Sequence, residues 1–358
     1  MQRMTTLAAA IVLFASCKEP SGVPMVPPHT PSLTPTDWTL VPAVAFASTR
    51  DNLDLNVPNV FLRSEIYLMD EDFTNARRLT ENAFIDAFGT LSPDGKKIVF
   101  DSNRRRVAGE PLFTSDLFVM NTDGSEQTFL VRGGSPTWAP NGKYIAFHAS
   151  ASGTGIRVIG SLGAATTDSD IFLINVDDVL AGVGARINLT NNPGAIDDDP
   201  DWSPEGRRIA FTSHAVNDPN HNNAVSAELY VMNADGTGAP TRLTFNGEEE
   251  RAPAWSPDGT RIAYSCRTGG LDFDICVLTF NEDGSTTIQQ LTDNTIPELT
   301  VSWSRGGQTL LFHRNAVSGT LDQLFTMKAD GSEAPVQRTT APGVSALAKW
   351  GMLRVKQN

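Results

Sequence analysis

Asp197, Asp198, Asp199 and Asp201 crowd into five residues, Glu248, Glu249 and Glu250 stand together further on, and Asp293 and Glu298 flank a third short stretch. Carboxylates repeated in this way could hold a divalent cation or a basic peptide segment, because hard cations take oxygen ligands and clustered negative charge attracts Lys and Arg. The plainer reading is a solvated rim with some carboxylates capping backbone amides, and for a metal it is the better one. Asp197-x-Asp199-x-Asp201 begins like a calcium loop, yet Trp202 stands where such a loop needs glycine. No resident cofactor is expected, a divalent cation in the acidic funnel being the one alternative. His148 and His313 each follow the aromatic residue of a short apolar strand, as ligands or acid–base groups near a channel mouth or, more simply, as strand-end side chains. His221 lies in the polar run NDPNHNN, which reads as surface. Cys266 and Cys276 fall on neighbouring strands, YSC and DICVL. In an oxidising compartment they could form a cross-strand disulfide if the register sets them opposite each other on one face; otherwise they are two small buried hydrophobes. No G-x-S-x-G elbow, H-E-x-x-H pair or P-loop occurs, and GTGIRV and GVGARI lack the third glycine of a dinucleotide fingerprint. No catalytic residue is expected.

What must position these residues is a repeat. SPTWAPNGKYIAFHAS (135–150), DPDWSPEGRRIAFTS (199–213), APAWSPDGTRIAYSC (252–266) and TVSWSRGGQTLLFHR (300–314) align, with FGTLSPDGKKIVFDS (88–102) as a weaker copy carrying Leu91 in the tryptophan column. The distance from that column to the last aromatic is nine residues in all five copies. Each copy reads as a strand, a tight Ser-Pro-Asp-Gly turn and a returning strand. A second hairpin follows, as in ELYVMNADGT (228–237), and a closing strand such as RRLTEN (77–82), INLTNN (187–192), TRLTFN (241–246) or QQLTDN (289–294). The unit is therefore four antiparallel strands, A to D. Repeated around an axis it buries each face against the next and leaves only short edges. Returning strands end at Phe46, Phe100, Phe147, Phe211, Tyr264 and Phe312, which counts six units. The expectation is an all-β, six-bladed β-propeller of four-stranded antiparallel blades over residues 37–358, closed by the C-terminal strand. Trp350 is read as the inner strand of the first blade, with Trp38 as the alternative.

PDWSPEGRRIAFTS together with ELYVMNADGT and RLT resembles the repeat of TolB-type propellers, and the resemblance covers nearly all of residues 40–356. It implies the fold. It does not by itself imply one activity, since the same repeat serves periplasmic scaffold proteins, the propeller portions of prolyl-oligopeptidase-like enzymes and some polysaccharide lyases. TolB itself carries an α/β domain ahead of its propeller, where this sequence has a proline-rich segment, so a role in the Tol–Pal system is not implied. Up-and-down topology puts the A–B and C–D turns on one face, short and uniform, and the B–C and D–A connections on the other. The B–C loops (50–64, 103–115, 150–169, 214–227, 267–273 and 314–322) vary in length, and variable loops on a rigid frame are where binding usually resides.

The first sixteen residues read as an export signal: Arg3, then the apolar run Leu7 to Phe14, then Ala15 and Ser16 before Cys17. LFASC resembles the lipobox of bacterial lipoproteins, which implies lipidation of Cys17. Residues 17–36 form a proline-rich tether too poor in large apolar groups to fold. Lys18 after the cysteine would favour the outer membrane within that resemblance. Removing residues 1–16 takes away Arg3 alone, so the formal charge moves from −13 to −14, and a body this acidic repels phosphate backbones. The expectation is a monomeric, non-catalytic lipoprotein of the cell envelope, facing the periplasm, touching the membrane through its lipid anchor only and binding a protein or peptide partner, not nucleic acid. The alternative is a carbohydrate-active propeller enzyme, polysaccharide-lyase-like, using a metal in the acidic funnel.

Overall fold

The computed structural model describes residues 38–51, 63–110, 114–150, 169–215, 226–269, 272–315 and 321–357. In chain order the strands are β1 (Trp38–Ser48), β2 (Glu65–Asp70) and β3 (Arg77–Arg78), which belong to blade 1. Blade 2 holds β4 (Asp86–Leu91), β5 (Lys97–Ser102), β6 (Asp116–Asn121) and β7 (Thr128–Arg132). Blade 3 holds β8 (Gly134–Trp138), β9 (Tyr144–Ala149), β10 (Asp170–Asn175), the helix α1 (Val176–Leu180) and β11 (Ile187–Asn188). Blade 4 has β12 (Ala195–Trp202), β13 (Arg208–Ala215), β14 (Glu228–Asn233) and β15 (Thr241–Arg242). Blade 5 has β16 (Glu250–Trp255), β17 (Arg261–Cys266), β18 (Asp274–Phe280) and β19 (Thr286–Gln290). Blade 6 has β20 (Leu299–Trp303), β21 (Thr309–Asn315), β22 (Asp322–Lys328) and β23 (Val336–Gln337). The last strand, β24 (Ser345–Lys356), returns to pair with β1.

That pairing closes the ring. The order in blade 1 is β24-β1-β2-β3, so β24, with Trp350, is the inner strand and Trp38 lies on the second one. The register runs from Trp38↔Lys356 to Ser48↔Ser345, with one bulge between Ala45 and Ala47. At its far end the Arg354 amide also donates to the Gly95 carbonyl of the neighbouring blade at 3.0 Å. Gly351 passes so close to Leu91 that a Cβ there would sit 2.7 Å from the Leu91 Cβ, which explains a glycine in mid-strand.

The core lies in the six seams between blades rather than at the centre. Each hydrophobic cluster draws on two neighbours: Val99, Leu117 and Val119 of blade 2 meet Trp138, Phe147 and Phe172 of blade 3, and the same scheme recurs around the ring. The second and third strands of each blade are covered on both faces, so they read as unbroken apolar runs such as KIVF and DLFVM. The A–B turns are held by their own side chains. In blade 5 the Ser256 hydroxyl donates to Asp258 at 2.6 Å and accepts from the Arg261 amide at 2.9 Å, while Gly259 supplies the positive φ of 69°.

The C–D connections are not uniform. Blade 3 inserts α1, capped by the Asn175 side chain, which accepts from the Asp177 and Asp178 amides at 3.1 and 3.3 Å. Its acidic first turn suits the helix N-terminus. The variable stretches of the B–C connections fall largely outside the described residues, as do Cys17, His221 and residues 1–37. Among the described residues no helix is long and apolar enough to cross a membrane.

Candidate functional site

The six inner strands (β24, β4, β8, β12, β16 and β20) surround the axis, and each is bent at the same place. Phe88, Ser135, Asp199, Ala252, Thr300 and Leu347 all have positive φ, between 48° and 55°. Each lies three residues before the tryptophan column, at a slip in register against the second strand of its blade. The bulges turn side chains inward. Phe88, Ser135, Asp199, Thr300 and Lys349 converge with the Pro136, Pro200 and Pro253 rings on a cavity of about 20 Å³. That is space for roughly one water, so these side chains largely fill the space where they meet.

Beside this cavity, one residue before the tryptophan column, an ion pair spans the ring. Lys349 of blade 1 reaches Asp201 of the opposite blade 4, with Nζ 3.9 Å from Oδ1. Asp201 also accepts from the Trp255 amide at 2.8 Å and from the Thr137 hydroxyl at 3.4 Å, which ties it to blades 5 and 3. Burial raises its pKa against the opposing pull of Lys349. Ser302 repeats the amide contact in blade 6, accepting from the Trp350 amide at 3.1 Å.

The predicted acidic residues divide between this axis and the blade corners. Asp197, Asp198, Asp199 and Asp201 do not lie in a connection: they are part of β12, and Glu250 opens β16. Asp197, Asp198, Glu249, Glu250 and Glu298 are buried, Glu248 is half-buried and Asp293 is exposed. A solvated rim therefore does not describe the set. The buried members have partners within the chain. Glu298 accepts from Arg314 at 2.6 Å and from Asn294 at 3.0 Å. Glu249 faces Arg251 and Arg267, and Glu250 accepts from Thr244, from Asn246 at 2.9 Å and from the Leu229 amide at 3.1 Å. Asp198 accepts from Ser169 at 3.2 Å, and Asp199 from Ser135 at 2.9 Å. Burial pushes Asp197 up to about 7 and Glu250 up to about 8. Among the described residues no three His, Cys, Asp or Glu side chains group closely enough to hold a metal ion.

A second set of corner carboxylates stands at the start of the third strands. Glu65 takes Arg78 at 2.7 Å and Glu228 takes Arg242 at 2.7 Å, while Asp170 accepts from Asn188 at 2.7 Å. Beside them a threonine after the closing strand, in a Leu-Thr pair in blades 1, 4 and 5 and after Arg338 in blade 6, accepts the next amide: Ile66 to Thr80, Leu229 to Thr244, Ile275 to Thr292 and Leu324 to Thr339, each at 2.8–2.9 Å. The corners are thus latches that join the closing strand of one blade to the inner strand of the next.

His148 and His313 sit in opposite blades, 3 and 6, but are buried rather than set at a mouth. His313 Nδ1 accepts from the Leu347 amide at 3.4 Å, and burial lowers its pKa, which keeps it neutral. His148 Nδ1 stands 3.6 Å from Asp198. Asp101 occupies the same column in blade 2; the Ser135 amide donates to it, and burial pushes it up to about 8. In both blade 2 and blade 6 this residue supports the bulge of the following inner strand.

Asp101, Ser135, Thr137 and Lys349 were not anticipated as site residues. The signal was in the alignment: Asp201 and Lys349 share the column before the tryptophan, and Asp101 shares the histidine column. Cys266 and Cys276 form a disulfide with Cα atoms 5.8 Å apart. The register pairs Cys266 with Asp274 and Cys276 with Tyr264, so the two are diagonal rather than directly opposite, on one face of the pair.

A family model described as the TolB beta propeller domain matches residues 152–353. An uncharacterised protein of Agrobacterium fabrum is 26% identical over 210 residues, 57% of this chain and 62% of that protein. A probable dipeptidyl-peptidase 5 of Aspergillus niger is 28% identical over 171 residues, 43% of this chain and 22% of that one. The crystal structure of TolB from Acinetobacter baumannii superposes with a TM-score of 0.64 at 18% identity, over 86% of this chain and 66% of that chain. The chain thus spans less than two thirds of each of these proteins. The repeat, the six seams and the family match lead to one assignment: this chain belongs to the TolB beta-propeller domain family.

Proposed function

We propose that this protein is a non-catalytic binding module of the cell envelope that receives a protein or peptide partner on the face formed by its B–C and D–A connections. The observation that carries the reading is the commitment of its carboxylates. Glu249, Glu250, Glu298 and Asp201 are each engaged by Arg, Lys, Asn, Thr or backbone donors of the same chain. Side chains used in this way stiffen a frame, and a stiff frame that carries loops of unequal length suits recognition. Family membership supports the same reading. Cys17 would carry a lipid, the proline-rich segment would hold the ring off the membrane, and Lys18 would direct it to the outer membrane facing the periplasm.

Thermal unfolding with calcium, with manganese and with EDTA tests the binding reading against a metal-using carbohydrate enzyme. An unchanged midpoint under all three is expected; stabilisation by either ion, reversed by EDTA, would transfer support to the lyase-like alternative. Replacing Cys17 with Ser is expected to move the protein from the membrane fraction to the soluble one.

A further inference from the structure

We propose that the cleft at the seam between blades 6 and 1, on the face of the A–B and C–D turns, binds a peptide carboxylate lying next to an aromatic or aliphatic side chain. The proposal does not rest on the partner face described above, which is the opposite one.

The seams between blades 4 and 5 and between blades 5 and 6 show one way in which this position is filled. The first residue of the second strand covers the tryptophan of the following blade: Arg208 lies 4.4 Å over the Trp255 ring, and Arg261 lies 4.5 Å over Trp303. An acid in the A–B turn holds each arginine, Glu205 at 2.8 Å and Asp258 at 3.6 Å. In blade 6 both parts are exchanged. The turn reads Ser304-Arg305-Gly306-Gly307, without its acid, and Thr309 stands where the arginine would be. A threonine cannot span the seam, and a cleft of about 520 Å³ opens between Trp303, Arg305, Thr309, Arg338, Trp350 and Phe73. That volume falls in the range of small-ligand pockets.

Its chemistry is an aromatic floor with a cationic edge. Phe73 packs edge-on to Trp350, with centroids 6.2 Å apart, and the turn holds Phe73 at a φ of 68°, a conformation few non-glycine residues adopt. Arg338 lies 5.6 Å over the Phe73 ring, with its Nε donating to Thr326 at 2.7 Å. This orients the guanidinium and leaves its terminal nitrogens for a ligand. Arg305 is exposed on the turn. Neither arginine has a carboxylate partner among the described residues, although Arg78, Arg104, Arg242 and Arg314 are all ion-paired. Glu71 also lines the cleft, so two cations face one anion. In a chain of formal charge −13 this is a local reversal of sign. A guanidinium fork takes a carboxylate, and the rings take the adjoining apolar side chain.

The test is calorimetric titration of the whole protein with three probes: acetyl-Pro-Phe with a free C-terminus, acetyl-Asp-Phe-amide and acetyl-Asn-Phe-amide. The first two separate a terminal from a side-chain carboxylate, and the third is the neutral control. At least one carboxylate probe is expected to bind tenfold or more tightly than the control. The double substitution Gly306→Glu with Thr309→Arg, which restores both the turn acid and the arginine seen in blade 4, and Arg305→Ser, at an exposed turn position, are each expected to weaken that binding at least tenfold with the unfolding midpoint kept. Equal binding of all three probes would overturn the proposal. So would binding that survives in both variants, or a tighter complex with acetyl-Arg-Phe-amide. If the double variant fails to fold, Arg305→Ser decides alone.

Discussion

At the residue scale, the side chains that most resemble reactive groups act as structural ones, and their titration exposes it. Asp101 is the clearest case. Burial raises its folded-state pKa from an ordinary 3.8 to about 8, so it stays protonated at neutral pH while the unfolded chain ionises. Between these values the folded state binds more protons. Stability attributable to this group therefore falls as pH rises from roughly 4 to 8 and levels off above that. Asp197 and Glu250, raised to about 7 and about 8, act in the same direction. Asp101→Asn should accordingly raise the unfolding midpoint more at pH 8 than at pH 5, and equal gains at both would contradict the assignment. The axial pair permits a second comparison. At 3.9 Å and partly exposed, the Lys349–Asp201 attraction is weak, so Lys349→Met should cost less than about 1 kcal/mol. Asp201→Ala orphans the Trp255 amide and should cost about 1–3 kcal/mol, while Asp201→Asn, which keeps an acceptor there, should recover most of the loss. Chemical denaturation of the three variants orders these effects. The shared columns of Asp201, Lys349 and Asp101 were legible in the alignment, but their roles were not, because burial and cross-ring contact are properties of the closed ring and the aspartates read locally as a solvated carboxylate rim.

At the scale of the elements, the A–B hairpin carries most of what the sequence made visible. Its tryptophan, its turn glycine and its nine-residue spacing are local, so the strands, the turns and the blade number follow from them. The closing role of β24 was legible too, since Trp350 sits in the tryptophan column after the last blade. The inner-strand bulge was not. Phe88, Ser135, Asp199, Ala252, Thr300 and Leu347 share no residue type and include no glycine, so their positive φ comes from packing around the axis and not from side-chain preference. Helix α1 was overlooked although Asn175 followed by Asp177 and Asp178 is an ordinary capping signal. Two predictions belong here. Trp303 is buried and its indole donates to the Ala254 carbonyl of blade 5 at 2.9 Å, so Trp303→Ala should cost about 3–5 kcal/mol by denaturant titration. The disulfide closes a short loop, with a sequence separation of 10, so its reduction should cost roughly 2–3 kcal/mol. A loss near zero would mean that the bridge adds little to the β17–β18 pairing.

At the scale of the whole molecule, stability is a sum over six similar seams, and the departures from similarity are informative. Blade 2 has Leu91 in place of tryptophan, blade 3 has α1, and the blade 6 turn has lost its acid and its arginine. These differences could be read in the alignment, but their effect could not, because whether a missing side chain leaves a void depends on what the neighbouring blade presents. Pairing of Trp38 with Lys356 sets the first and last described strands side by side on the turn face of the disc. A few glycines and serines should therefore suffice to splice one end to the other, and the chain could then be reopened at Pro193-Gly194, in the connection between blades 3 and 4. Such a circular permutant would carry every blade as an uninterrupted piece of sequence, and it should fold to the same ring. If it does, the split blade is a matter of gene order and not a requirement of the architecture.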